Sequence, residues 1–384
     1  MIALILSCTL ALALDQTDPT KGEVPLPAAP GWNARLVLDR GDIGIWTVRS
    51  FPVFNTYATP EILGLSDDGR CHVLVAYSGK WTPTDVVHDH KWLGGIAFDD
   101  VDPRLDGSEA YVGGEKGNLY QIAFYPYGTV DCRLIAQLPG LEIHSIVSRP
   151  VDGRKELLVF TRPGALYRGT PNFDDGGFDV RFVEELPGRV RNAVILPGPG
   201  SATIATVSRS GHLRTLSVDG MWTTIHEDSS GMGRLTLKWD HQSAKSIVMY
   251  STLDDGRILR HERVNNDWTT ETIYQGPQGP RGVVSGVFTE DRSEESIVIF
   301  GYSGKVELLV RTPGGWTSTT IFEDRDRGHS LTTIEIDGRN ATTEIVGSGY
   351  GGRIFLLSRP PGYGVEKTAP QQPGTNRVRD AAPR

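Results

Sequence analysis

Seven times along this chain an apolar run rich in β-branched residues breaks at a glycine turn and resumes as an alternating strand. The runs before the turns read "EILGL", "EAYVGG", "ELLVF", "TIATVS", "SIVMYS", "SIVIFGY" and "EIVGSGY". The turns and the strands that follow read "DDGRCHVLV", "EKGNLYQIA", "RPGALYRG", "RSGHLRTLS", "DDGRILRHE", "YSGKVELLV" and "YGGRIFLLS". Period-two alternation marks a half-buried strand, and a short continuous apolar run between turn residues marks a fully buried one. A third phrase follows about a dozen residues after each turn: "WTPTDVVH", "WTTIHED", "DWTTETIYQG" and "WTSTTIFED", weakened to "DCRLIAQL" and "FDVRFVEEL" in the second and third units. Another copy, "WNARLVLD" at residues 32–39, precedes the first unit.

The turn glycines are Gly69, Gly117, Gly164, Gly211, Gly256, Gly304 and Gly352, with spacings of 48, 47, 47, 45, 48 and 48. Four short strands per period is the content of one propeller blade. The sequence therefore predicts an all-β fold, a seven-bladed β-propeller of four-stranded blades over residues 32–359. After Gly352 the chain supplies only "RIFLLS" before a Pro-rich tail, so the last blade lacks its outer strand. The spare phrase at Trp32 supplies it, closing the ring and hiding two sheet edges. Two separate sandwich domains would not produce such even spacings.

The phrases "DDVDPRLDGSEAYVGG" and "RPVDGRKELLVF", each followed by "GNLY" or "GALY", resemble those of seven-bladed propellers assembled from FG-GAP and VCBS-type repeats. The resemblance is to an architecture and a loose repeat. It implies a calcium site in the blade-two loop, with Asp99, Asp100, Asp102 and Asp106 as ligands, although the DxDxDG pattern of such loops is incomplete here. Solvated turn carboxylates are the competing reading, since calcium needs six or more oxygens.

Composition narrows the function classes. Glycine (45) and proline (24) are abundant, as short strands and tight turns require. The net charge of −8 with scattered basic residues provides no footprint for nucleic acid. The apolar start "MIALILSCTLALALDQ" carries Ala11-Leu12-Ala13, a small-x-small cleavage pattern. It predicts a signal peptide over 1–13, a flexible leader over 14–31, and export to a secreted, periplasmic or surface location. No later run is long enough to cross a bilayer, and the mature protein is expected to be a soluble monomer. Residues 360–384 read as a disordered Pro-rich tail. Cys71 and Cys132 form no zinc or disulfide framework and are expected toward opposite faces of the ring, unpaired.

In a propeller the residues that begin each inner strand surround the mouth of the axial channel. Here those positions hold Asp42, then His88, His90, Lys91 and Trp92, then Glu142 and His144, then Arg189, Arg191 and Asn192, then Arg234, Arg281 and His329. His90, His144 and His329 with Glu142 suit a divalent transition metal. Arg191, Arg234 and Arg281 suit carboxylate, sulfate or phosphate, with Trp92 as a stacking face and Asn192 as a polar contact. Three functions stay open. The protein binds an anionic or polar glycan at the mouth; or it is a polysaccharide lyase or sugar dehydratase in which His144 or His90 takes a proton; or the channel is inert and the outer faces mediate assembly. The loop "SFPVFNTYATP" (50–60) lies on the far face, where it could plug the channel.

Overall fold

The computed structural model describes residues 24–360, apart from 55–59, 78–79, 126–127, 175, 198–202, 239–245, 266 and 337–341. The expected signal peptide, the leader up to residue 23 and the tail beyond 360 lie outside the described residues. Seven antiparallel sheets follow one another, six of four strands and one of five. The first strand of each (Ile45–Phe51, Leu93–Asp99, Glu142–Val151, Val190–Ile195, Met232–Leu237, Pro280–Ser285 and Gly328–Ile334) touches the first strand of the next, and the last touches the first. The protein is a seven-bladed β-propeller whose inner strands enclose an axis.

The ring closes as the repeat arithmetic requires. Asn33–Asp39 pairs antiparallel with Arg353–Ser358, from Asn33 opposite Ser358 to Asp39 opposite Arg353. Part of the expected leader is ordered, because Val24–Leu26 adds a fifth strand outside Asn33–Asp39 and Ala28 bridges to Phe322 of blade six. A latch holds this closure. The Arg359 guanidinium lies 4.0 Å from the centre of the buried Trp32 ring, and it donates to the carbonyl oxygens of Gly31 and Phe288.

The core is divided into seven apolar slabs, one between each pair of adjacent blades. Alternation explains the division. In the second strand of blade one, Ile62 faces blade seven while Leu63 and Leu65 face blade two. In blade five, Met249 and Tyr250 likewise point to opposite neighbours. Both faces of these strands are buried, which is why they read as continuous apolar runs. Trp81, Trp222, Trp268 and Trp316 pack into the same slabs from the outer strands.

One expectation changes here, that of the blade-one loop. Cys71 and Cys132 are free thiols, and both border the slab between blades one and two. Phe51, Val53 and Phe54 of the blade-one loop also enter that slab, where Phe51 stacks on Phe98 at 4.4 Å. The described part of the loop is core, and it does not plug the channel.

Buried glutamates stand at or near the start of the second strands of four blades: Glu61, Glu109, Glu156 and Glu344. Each stands eight residues before its turn glycine. Glu61 accepts the Val53 backbone N–H at 2.8 Å, and Glu109 accepts those of Val101 and Asp102 at 2.9 and 3.2 Å. These carboxylates tie down the far-face loops. Burial dominates at Glu61 and pushes its carboxyl from 4.5 up to about 7. The folded state therefore holds this proton more tightly than the unfolded chain, and stability falls as pH rises through that window. A shift of that size is worth about 3 kcal/mol. Glu61→Gln, which keeps an acceptor for Val53, should raise the melting temperature at about pH 8 and leave it nearly unchanged at about pH 4.5. A thermal melt at both pH values checks this, and equal effects at the two would contradict it.

Candidate functional site

Every inner strand carries a β-bulge near its start. In blade one, Ile45 pairs with Ser66 and Thr47 with Leu65, so Trp46 is the extra residue. The same two-against-one register leaves out Gly94, His144, Arg191, Arg281 and His329 in blades two, three, four, six and seven. In blade five the shift takes in Gly233 and Arg234. A bulge bends the strand and redirects a side chain. All of these residues line one basin of about 350 Å³ at the mouth of the channel.

A second tier comes from the turns that hold the repeat glycines. The residue two before each glycine is Asp67, Glu115, Arg162, Arg209, Asp254, Tyr302 and Tyr350 in turn. Arg162, Arg209, Tyr302 and Tyr350 line the basin directly. Asp254 works from behind, with Oδ1 accepting from Nη1 of Arg191 at 2.8 Å and of Arg281 at 2.6 Å. Asp67 accepts the indole N–H of Trp46. The opposing residues are glycines for reasons of space. A Cβ on Gly44 would stand 2.6 Å from Asp67 Oδ2, and one on Gly231 the same distance from Asp254 Oδ2.

The basin has two unlike halves. Tyr302, Tyr350, Trp46, Trp92 and His144 form a continuous aromatic arc, with successive centroids 5.9, 5.5, 5.8 and 4.8 Å apart. Facing it are Arg162, Arg189, Arg191, Arg209, Arg234 and Arg281, against a single lining carboxylate, Glu142. Arg281 bridges the halves, 5.1 Å from the Tyr302 centroid. Nε of Arg189 is buried without a hydrogen-bond partner. Burial first, then neighbouring guanidinium groups, lowers Arg189 to about 10 and Arg234 to about 9. Both remain charged at neutral pH, so the half-basin is a concentrated positive field.

Both histidines of the basin are neutral. Burial, then Arg189, Arg234, Arg162 and Arg191, pushes His144 down to about 3. Its Nε2 lies 3.1 Å from Glu142 Oε2 and 3.4 Å from Arg189 Nη1. One tautomer cannot serve both neighbours. The closer carboxylate takes the N–H, which leaves Nδ1 as the lone pair. His329 is held well below its ordinary value by burial and by Arg234, and its Nδ1–H donates to Trp46 O at 2.5 Å.

Of the sequence-predicted mouth residues, Trp92, Glu142, His144, Arg191, Arg234, Arg281 and His329 meet in the basin. His90 does not. It sits in a left-handed turn (φ 61°), exposed, with its ring 3.9 Å from that of His88. Asn192 is also outside the mouth, because its Oδ1 accepts the Leu235 N–H at 2.9 Å between blades four and five. Among the described residues no three His, Cys, Asp or Glu side chains are gathered as a metal-binding group. The proposed calcium ligands are separately engaged. Asp102 is buried and takes Arg104 Nε and Nη2 at 2.7 Å and Arg133 Nη2 at 2.8 Å. Asp99 pairs with Lys155 and accepts from Ser148, while Asp100 and Asp106 are exposed. Arg189, read at the mouth from sequence, also lines the basin, and the lining side chains not read there are Trp46, Thr47, Arg162, Arg209, Tyr302 and Tyr350.

No family model and no curated protein matches the chain. No helix among the described residues is long and apolar enough to cross a membrane.

With His144 neutral, its titration gives a direct check. The unfolded chain takes up this proton below about 6.5 and the folded state refuses it until about 3, so the stability it contributes is present above 6.5 and is lost as pH falls through that window. The His144 ring resonances, assigned by comparison with His144→Gln, should show no titration between about pH 5 and pH 8. A midpoint near the ordinary value would contradict the described surroundings.

Proposed function

We propose that this protein is an exported propeller that binds an anionic glycan at its channel mouth. The observation that supports the reading is the pairing of an arginine arc with an aromatic arc in one basin. Guanidinium forks match carboxylate or sulfate groups, and indole and phenol faces cover the apolar face of a sugar ring. A free anion would need only the first, and a neutral sugar only the second. Export follows from the expected signal peptide. The resemblance to FG-GAP and VCBS repeats has no family match behind it and adds nothing to the choice of ligand.

The lyase reading uses the same face with His144 as base. A general base works best with a pKa near the working pH, and an imidazole pushed down to about 3 is far from that. Binding is therefore the favoured function. Titration calorimetry with an acidic oligosaccharide such as an oligogalacturonide, against its carboxyl-reduced neutral counterpart, separates the readings. The acidic ligand should bind and the neutral one should be much weaker. Arg189→Met should weaken binding about tenfold or more, as expected for a charge-assisted contact, and Trp92→Ala several-fold. Equal affinity for both sugars would contradict the proposal, and an unsaturated product in the same incubation would favour the lyase.

A further inference from the structure

Below the mouth the channel opens into a second cavity of about 250 Å³, walled by the inner strands of blades one, four, five, six and seven. Its polar lining includes Arg49, Asn192, Arg234, Thr236, Ser330 and Thr332. Arg49 takes no part in the mouth basin, while Arg234 lines both spaces. Neither guanidinium has a carboxylate partner among the described residues. Arg49 Nη1 donates to the carbonyl of its neighbour Val48 at 2.9 Å, and Arg234 Nη1 donates to Arg191 O at 2.8 Å. Arg234 Nη2 lies 3.5 Å from His329 Nδ1, but that nitrogen carries the hydrogen donated to Trp46 O. Nη2 therefore has no acceptor there.

Two guanidinium groups withdrawn from bulk water are costly unless something negative compensates them. The charged neighbours that act most strongly on Arg234 are cations, Arg49 foremost. The cavity also offers neutral donors. Asn192 commits its Oδ1 to Leu235, which leaves its amide NH₂, and the Ser330 hydroxyl, which accepts the Val48 N–H at 3.2 Å, keeps its own hydrogen to donate. Two forked cations with short neutral donors between them match a compact oxyanion. We propose that a small inorganic oxyanion, phosphate or sulfate, occupies the axial channel between Arg49 and Arg234, as a site separate from the mouth. It ties the inner strand of blade one to that of blade five across the axis, and it stabilises the folded ring by mass action.

The test uses the full chain dialysed free of both anions. Its melting temperature is followed as inorganic phosphate is added at constant ionic strength, for the wild type, Arg49→Met and the mouth variant Arg209→Met. A saturable rise is expected in the wild type and in Arg209→Met, and no such rise in Arg49→Met. Ion chromatography of the denatured wild-type protein, as purified, should release about one phosphate or sulfate per chain, a reading that needs no variant to fold. A saturable rise in Arg49→Met equal to that of the wild type would move the anion to the mouth and overturn the proposal. An unsaturable rise common to all three, or the absence of both a rise and a released anion, would also overturn it. Failure of the mouth to bind a glycan leaves this site untouched, because Arg49 is not part of the mouth.

Discussion

Everything in this protein depends on one antiparallel pairing, Asn33–Asp39 against Arg353–Ser358. The apolar slabs lie between blades, so no blade is stable by itself and a ring with a gap leaves two half-slabs open to water. The last blade cannot fill its own outer position. The N-terminal strand brings Trp32 and Ala34 into the slab between blades six and seven, and Val37 into the slab between blades seven and one. Closure also fixes the angle between neighbouring inner strands. Seven bulges aimed at a common axis make a basin only if the axis exists.

The basin follows from that geometry with little further device. One extra residue per inner strand and one residue before each turn place two tiers of side chains around the mouth. Their chemistry is free to vary because neither tier is needed for the slabs. The chain uses that freedom unevenly, with aromatic residues on blades six, seven, one and two and guanidinium groups on blades three to six. Asp254 offsets part of the repulsion by bridging Arg191 and Arg281. Among the described residues Arg189 makes no salt bridge, which leaves the basin electrostatically incomplete on an otherwise acidic protein. Such concentration of one charge focuses the local field toward ligands of the opposite sign.

The architecture was legible because turn glycines and apolar runs are imposed by backbone and burial, and both repeat with the blade. Most of the first tier was legible for the same reason: each inner strand begins just after the outer phrase of the blade before it, which located His144, Arg191, Arg281 and His329. Trp46 escapes that signal because the turn at Asp42, four residues earlier, resembles the strand start in blade one. Tyr302, Tyr350, Arg162 and Arg209 carry a usable signal in their position two residues before each glycine, although nothing in their residue types repeats. His90 misled because its neighbours resemble a strand start, whereas its backbone turns left-handed and sends the ring to the surface. Asp102 shows a different limit. A carboxylate in an acidic loop looks the same in sequence whether or not arginines such as Arg104 and Arg133 pair with it.

Anomalous diffraction from crystals soaked in selenate would test the central claim most directly, since that anion carries the charge and shape of a sulfate and marks its own position. The account predicts a strong peak inside the mouth basin, within hydrogen-bonding distance of Arg189 and its neighbours Arg191 or Arg209. Selenate confined to scattered surface lysines, with the arginine arc bare, would contradict it.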